Sequence, residues 1–342
     1  MNFPEIPLVS DISNDMLNAM LSDPSYGMER KRDGYRLRVI ISPNNKITTQ
    51  TRSGKFYNLP TLLKKSLEQT VRTEKIAGKY ILLDGEVLWL DAWGNDHRTK
   101  VQAGKDGLII YSVWDMLLGD GKKFNTDVPY KERKISLINN IKFKEPVVIE
   151  PTYVSSSSKS ILLQNGKQCN WEGYVFKKLD ALYSPGRGEH AYRWKYKVTK
   201  DYIVIGYTKS DKDKNPFRAL VLAAYKNKEL IRKGQCGGGF PDKSEDTEKP
   251  TRTEIYNKYL KNKQYWQTLK DKTIKISKKK PEHKMTDKDY KKTYGTIYWL
   301  YKNDWFVIEV ESQKFTEYGI PYMPQFIRTR EDKAPKNCKE TE

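Results

Sequence analysis

Lys31 stands in the decapeptide GMERKRDGYR, residues 27 to 36, just ahead of an Asp-Gly turn. A lysine amine becomes a nucleophile once it loses its proton, and burial or neighbouring cations favour that loss. On its own the stretch leaves two readings open, a solvated cation beside a common hairpin turn or an attacking amine. Other stretches supply what the second reading needs. LLDGEV sets Glu86 just beyond another Asp-Gly pair, and EGYVFKK sets Glu172 at the head of a strand with Lys177 five residues on. Alternation along that strand would place Glu172, Tyr174 and Phe176 on one side and Gly173, Val175 and Lys177 on the other. Two carboxylates from adjacent strands could hold a hard cation such as Mg2+. WKYK places Lys195 and Lys197 two apart in an extended segment, hence on one face, where paired ammonium groups suit a phosphate and would depress the pKa of another lysine. QFIRTREDK carries Arg328, Arg330, Asp332 and Lys333, either as a solvated tail cluster or as a mobile phosphate clamp.

The elements that must position these groups read as an α+β fold. From Tyr26 to about Lys200, short runs rich in Val, Ile, Tyr and Trp recur, among them YRLRVIIS, YILLDGEVLWL, GLIIYSVWDML, VVIEPTYV and EGYVFKKL. LPTLLKKSLEQTV has Leu59, Leu62, Leu63 and Leu67 at helical spacing and is expected to pack between strands. Strands do not alternate regularly with helices, so the sheets should be largely antiparallel. After Lys200, DYIVIGYTKS, RALVLAAYKNKELI, GQCGGGF and GTIYWLYKNDWFVIEVESQKF supply five short strands, which suggests an OB-fold β-barrel. The expected division is therefore a domain over 1–200 of antiparallel sheets with helices, and a barrel over 201–342. Residues 241–295 are polar and charged on every side, and are read as an inserted surface arm, either merely solvated or touching phosphate through KISKKK.

Composition narrows the function. The chain has 342 residues, 37% of them hydrophobic, enough for two cores. Lys and Arg number 63 against 43 Asp and Glu, a formal charge of +20, which points to a polyanionic partner such as nucleic acid. Cys169, Cys236 and Cys338 are far apart, as are His97, His190 and His283, so a disulfide framework, a zinc site or histidine-pair chemistry lacks material. Carboxylates and lysines are left to do the work. No run approaches the roughly 18 apolar residues of a membrane span, and MNFPEIPLVSDISNDML does not read as a signal peptide. A soluble protein of a reducing compartment is expected.

Taken in order, these stretches resemble the motifs of the covalent nucleotidyltransferase superfamily, and most closely those of small, bacteriophage-type ATP-dependent DNA ligases. KRDGYR is similar to K-x-D-G-x-R, TRSGK to the element around an arginine, and LLDGEV to D-G-E; IYSVWDML, EGYVFK, WKYK and REDK follow in family order, covering Met28 to Lys333. The resemblance implies an N-terminal adenylation domain followed by the barrel. It implies that Lys31 attacks the α-phosphate of ATP and carries AMP, with Mg2+ as the metal. Glu29 would recognise adenine, Trp114 would stack on it, and Arg30 would line the nucleotide site. Arg36 and Arg52 would hold ribose or a DNA 5′-phosphate. Glu86 and Glu172 would serve ribose and metal, and Lys177, Lys195 and Lys197 the α-phosphate. Arg330, Asp332 and Lys333 would orient pyrophosphate during the first step only, which demands a hinge, expected near Thr199 to Tyr202. Arg52, Arg187, Arg193 and Arg328 would contact nicked duplex DNA, each neutralised phosphate adding roughly 0.9 to the salt slope. The sequence departs from the family pattern at Thr51, Trp114 and Gln325.

The resemblance also implies a monomer acting in the cytoplasm, a host cell's if the source is viral. Rival readings are a GTP-dependent RNA-capping enzyme, an RNA ligase, and a non-catalytic OB-type binding protein using its 12% aromatic residues as stacking platforms. Only the last predicts no covalent nucleotide.

Overall fold

In the computed structural model the chain divides into two compact units, Met1–Tyr196 and Lys197–Glu342. The structure describes residues 2–169, 171–208, 215–242, 249–261, 297–316 and 319–339, and the backbone of 264–265 and 274–275. Most of the arm expected at 241–295 thus lies outside the described residues.

Unit 1 contains, in chain order, β1 (Pro7–Asp11), α1 (Asn14–Ser22), β2 (Tyr26–Lys31), β3 (Tyr35–Ile41), β4 (Ile47–Thr51), α2 (Thr61–Glu68), β5 (Val71–Arg72), β6 (Tyr80–Leu90), β7 (Asp96–His97), α3 (Lys100–Ala103), β8 (Leu108–Gly119), α4 (Tyr130–Asn140), β9 (Ile141–Lys142), β10 (Val147–Ile149), α5 (Ser156–Gln168), β11 (Gly173–Lys178) and β12 (Gly186–Lys195). The larger sheet runs β10-β8-β6-β3-β4, with β7 added beside β6; the smaller runs β1-β12-β11-β2. Pairing is antiparallel except for β1 with β12 and β10 with β8. Val39, Ile41, Ile81, Leu83 and Val87 alternate inward on the larger sheet, where Leu63 and Leu67 of α2 and Leu137 of α4 cover them. Leu62 is the exception among the leucines read as a packing face. It is 51% exposed, because the helix turns its buried stripe through Leu63, Ser66 and Leu67 instead. The smaller sheet buries Met28, Tyr174 and Phe176 against Leu17 of α1 and Leu162 of α5.

Unit 2 contains β13 (Val198–Thr208), β14 (Ala219–Lys226), β15 (Glu229–Cys236), α6 (Arg252–Ile255), β16 (Gln264–Tyr265), β17 (Ile274–Lys275), β18 (Ile297–Leu300), β19 (Phe306–Ser312) and β20 (Gln325–Thr329). Its sheet runs β16-β18-β13-β14-β15-β17, with β19 bridging β13 to β20. The fold class is α+β, with mixed sheets and helices followed by the OB-type barrel. GQCGGGF, read as a strand, is instead the end of β15 followed by an irregular stretch in which Gly238 bridges to Gln325 and Gly239 takes φ +84°. The start of the expected arm is also different. Thr251 and Glu254 form a reciprocal capping box, α6 runs on as a wider helical turn over Tyr256–Leu260, and Ile255 and Leu260 are buried in the barrel core. Two apolar side chains on one face outweigh the polar average of that stretch. No helix among the described residues is long and apolar enough to cross a membrane.

Candidate active site

A cleft of about 950 Å³ in unit 1 takes its walls from both sheets. Lys31 ends β2 within it. The Lys31 ammonium donates to Glu172 Oε2 at 2.6 Å, and Lys195 Nζ lies 2.8 Å from Glu172 Oε1, so one carboxylate holds both lysines. Burial lowers the Lys195 pKa, and Glu172 opposes that shift. Strand alternation does not place Glu172 as expected. Tyr174 and Phe176 are fully buried in the core of the smaller sheet, whereas Glu172 lines the cleft with Val175 and Lys177. The reason is Gly173, whose φ of +151° breaks the pleat; a Cβ there would stand 2.1 Å from the Trp194 carbonyl oxygen.

Lys197 opens unit 2, where its ammonium lies 2.9 Å from Glu311. Thr199 to Tyr202, where a hinge was expected, sit inside β13 in continuous register with Glu311 through Ile308 of β19. The connection left between β12 and β13 is Tyr196–Lys197.

Glu29 lies on the cleft floor, 2% exposed, with three hydrogen-bond donors and a further ion partner around it. Its Oε1 accepts from Tyr130 Oη, from Thr152 Oγ1 at 2.6 Å and from Lys134 Nζ at 3.1 Å, while Oε2 lies 2.7 Å from Lys177 Nζ. Burial alone would raise this carboxyl, but Lys134 and Lys177 hold it at about 2. Lys177 is the unfinished member. Its buried ammonium has Glu29 as an ion partner but no acceptor at hydrogen-bonding angle, and burial lowers its pKa. Trp114 forms a flat wall between cations, with Lys177 Nζ 5.4 Å and the Arg36 guanidinium 5.8 Å from its ring centre.

Arg36 is already engaged, bidentate to Asp84 at 2.9 and 2.6 Å and donating to the Pro7 carbonyl at 2.7 Å. Asp84 more than offsets the burial of Arg36 and raises its pKa. Arg30 lines the cleft as expected, with a guanidinium that lies 2.9 Å from Asp96 and 4.3 Å over Trp171. Arg52 and Arg187 are exposed on the cleft rim beside Lys55 and Phe56. Arg193 also lines the cleft but grips Asp11 at 2.6 and 2.8 Å.

Glu86 on β6 accepts from the Gly34 amide at 3.2 Å. Burial pushes its carboxyl up to about 8; Lys31 opposes this and Glu172 adds to it. These groups fit a hard divalent cation: both offer carboxylate oxygens, and a second positive charge is what a carboxyl raised by burial beside another carboxylate lacks. No cluster of three or more His, Cys, Asp or Glu side chains forms among the described residues, so phosphate oxygens or water would complete the coordination.

In unit 2, Arg330 pairs with Asp332 at 2.8 Å and with Asp201 at 3.0 Å, and Lys333 pairs with the same Asp201 at 2.8 Å. Arg328 pairs with Glu309 at 2.6 Å. Sequence reasoning missed Asp201, Asp96, Lys134 and Glu150. Their partners lie up to 132 residues away, and only WDML and LLDGEV carried a local signal for the acids Asp115 and Asp84.

The sequence model of the ATP-dependent DNA ligase domain matches residues 8–197, which contain every residue that lines the cleft except Pro7. The chain belongs to the ATP-dependent DNA ligase domain family. The multifunctional non-homologous end joining protein LigD of Pseudomonas aeruginosa is 24% identical over 238 residues, 66% of this chain and 27% of that protein. A probable DNA ligase of Streptomyces avermitilis is 27% identical over 220 residues, 59% of this chain and 41% of its own. This ligase-family chain thus spans less than half the length of those relatives. A solved structure from the Lig E DNA ligases aligns over 96% of this chain and all of its own, at a TM-score of 0.57 and 13% identity, a likeness of fold.

Proposed function

We propose that this chain seals nicks in duplex DNA with ATP. Lys31 Nζ attacks the α-phosphorus of ATP, the bond to pyrophosphate breaks, and AMP remains on the lysine through an N–P bond. AMP then passes to the 5′-phosphate of the nick, and the 3′-hydroxyl displaces it to form the phosphodiester. The observation that carries this reading is the shared carboxylate: Glu172 accepts from Lys31 at 2.6 Å and is therefore within reach of the proton that the amine must lose.

The other cleft groups fall into roles that need no rearrangement of the backbone. Lys195 adds positive charge beside the nucleophile, and Lys177 has N–H capacity left for an anion. Trp114 offers a flat face to a purine, and Glu29 keeps Lys177 in place. Mg2+, held through Glu86 and Glu172, would neutralise phosphate charge as pyrophosphate departs. Catalysis is then mostly positioning and electrostatics. Arg52 and Arg187 on the rim, with the overall charge of +20, suit a DNA backbone.

Incubation with labelled ATP or GTP and Mg2+, followed by a denaturing gel, tests this directly. Label from ATP should remain on the wild-type chain and vanish in Lys31→Ala. Label from GTP alone, or none, overturns the reading.

A further inference from the structure

We infer that Asp96 is a positioning residue for the nucleophile, a clamp that fixes Lys31 by gripping both of its chain neighbours. This rests on the ligase reading above. Arg30 precedes Lys31 on β2 and Arg32 follows it just past the end of that strand; both line the cleft with Lys31, but their guanidinium groups turn to another acid than Glu172. Both reach one carboxylate oxygen: Asp96 Oδ1 lies 2.9 Å from Arg30 and 3.1 Å from Arg32. That carboxylate is 6% exposed, so water does little to replace either contact.

The origin of Asp96 gives the clamp its consequence. Lys31 lies on β2 of the smaller sheet, while Asp96 lies on β7, which pairs with β6 of the larger sheet through Leu90. Glu86, opposite the nucleophile, is on that same β6. The two arginines therefore tie the strand that carries the amine to the sheet that carries the carboxyl. Glu150 completes the tie: its Oε2 accepts from Arg32 Nε at 2.7 Å and from Ser112 Oγ at 2.6 Å, and Ser112 belongs to β8 of the larger sheet. Two cations and two anions make the cluster neutral. Arg30 also lies over Trp171, next in chain to Glu172, so the acceptor of Lys31 is braced from the same cluster.

A misplacement of about 1 Å in a reacting pair costs on the order of a hundredfold in rate. Asp96→Asn keeps the shape and removes the charge that holds both arginines. At saturating ATP the first-order rate of self-adenylation should fall about tenfold to a hundredfold, with KM for ATP unchanged within about twofold. Sealing of a pre-adenylated nick, which does not use the Lys31 amine as nucleophile, should stay within about twofold of wild type. Asp96→Glu, which restores the charge on a longer arm, should fall between the two; it decides the matter by the same comparison if Asp96→Asn does not fold. Adenylation at the wild-type rate, a rise in KM alone, or equal losses in both steps overturns the clamp. A wild-type chain that takes no label sinks the ligase reading itself, and this inference with it.

Discussion

Glu29 binds Tyr130, Thr152, Lys134 and Lys177 at once, and its protonation is therefore a stability term as well as a site term. Its folded pKa of about 2 lies below its ordinary 4.5, so the stabilisation is present above pH 4.5 and is lost as pH falls toward 2. Glu29→Gln leaves two buried ammonium groups without their counter-charge. It should cost about 3–5 kcal/mol near neutral pH, measured by urea unfolding. The gap to wild type should narrow in acid, where the native carboxyl is also uncharged; a gap independent of pH would assign the loss to packing. At this scale the sequence displayed residue types well and partnerships poorly. Lys31, Glu86, Glu172, Lys177 and Lys195 all line the cleft, yet nothing local announced that Lys31 and Lys195 share one acid, or that Arg32 finds Glu150 across 118 residues. Ion pairs between distant segments are fixed by the fold and leave no spacing to read.

Strands were legible where apolar β-formers run together, and misleading where the backbone leaves the pleat. YRLRVIIS and YILLDGEVLWL became β3 and β6, whose aliphatics are buried on both faces, Val39, Ile41, Ile81 and Leu83 in one cluster and Ile40 and Leu82 in another. EGYVFKK also became a strand, but a rule of two-residue alternation assigned Glu172 to the wrong side, because a glycine at φ +151° cannot be seen in composition. Gly173→Ala tests that account. The new methyl would meet the Trp194 carbonyl at 2.1 Å, so the strand must shift and Glu172 with it. The expected result is a stability loss above about 1 kcal/mol in a thermal melt, together with slower self-adenylation. Gly94→Ala is the control: φ is +79° but no atom lies within 4 Å, so it should cost only about 1 kcal/mol and leave adenylation alone. Slow adenylation in both variants would detach the effect from Glu172. Helix phase failed in a similar way at Leu62, since Leu62 and Leu63 are adjacent and helical spacing alone does not choose which of them faces the core.

At the scale of the whole molecule the division of labour follows the connection. Lys195 ends the last strand of unit 1 in the cleft, and three residues later β13 begins the barrel, so the lysine pair read from WKYK is split between units. Arg330 and Lys333 belong wholly to unit 2, where Asp201 of β13 binds both. On the ligase reading proposed above, they would serve the adenylation step alone, in which pyrophosphate departs. Arg330→Ala should then slow self-adenylation by about 10²–10³-fold, the effect of deleting one charge-stabilising donor. Because Asp201 keeps Lys333 as a partner, the barrel should hold its fold, and sealing of a pre-adenylated nick should change only a few-fold. The two-step comparison separates the alternatives: equal losses would assign Arg330 to DNA binding or to the barrel itself, and an unchanged first step would leave the cleft of unit 1 sufficient for adenylation. The salt dependence of the second assay adds a check, since an arginine that contacts DNA phosphate in the sealing complex should also flatten the slope by roughly 1 when removed, whereas one that acts only on pyrophosphate should not.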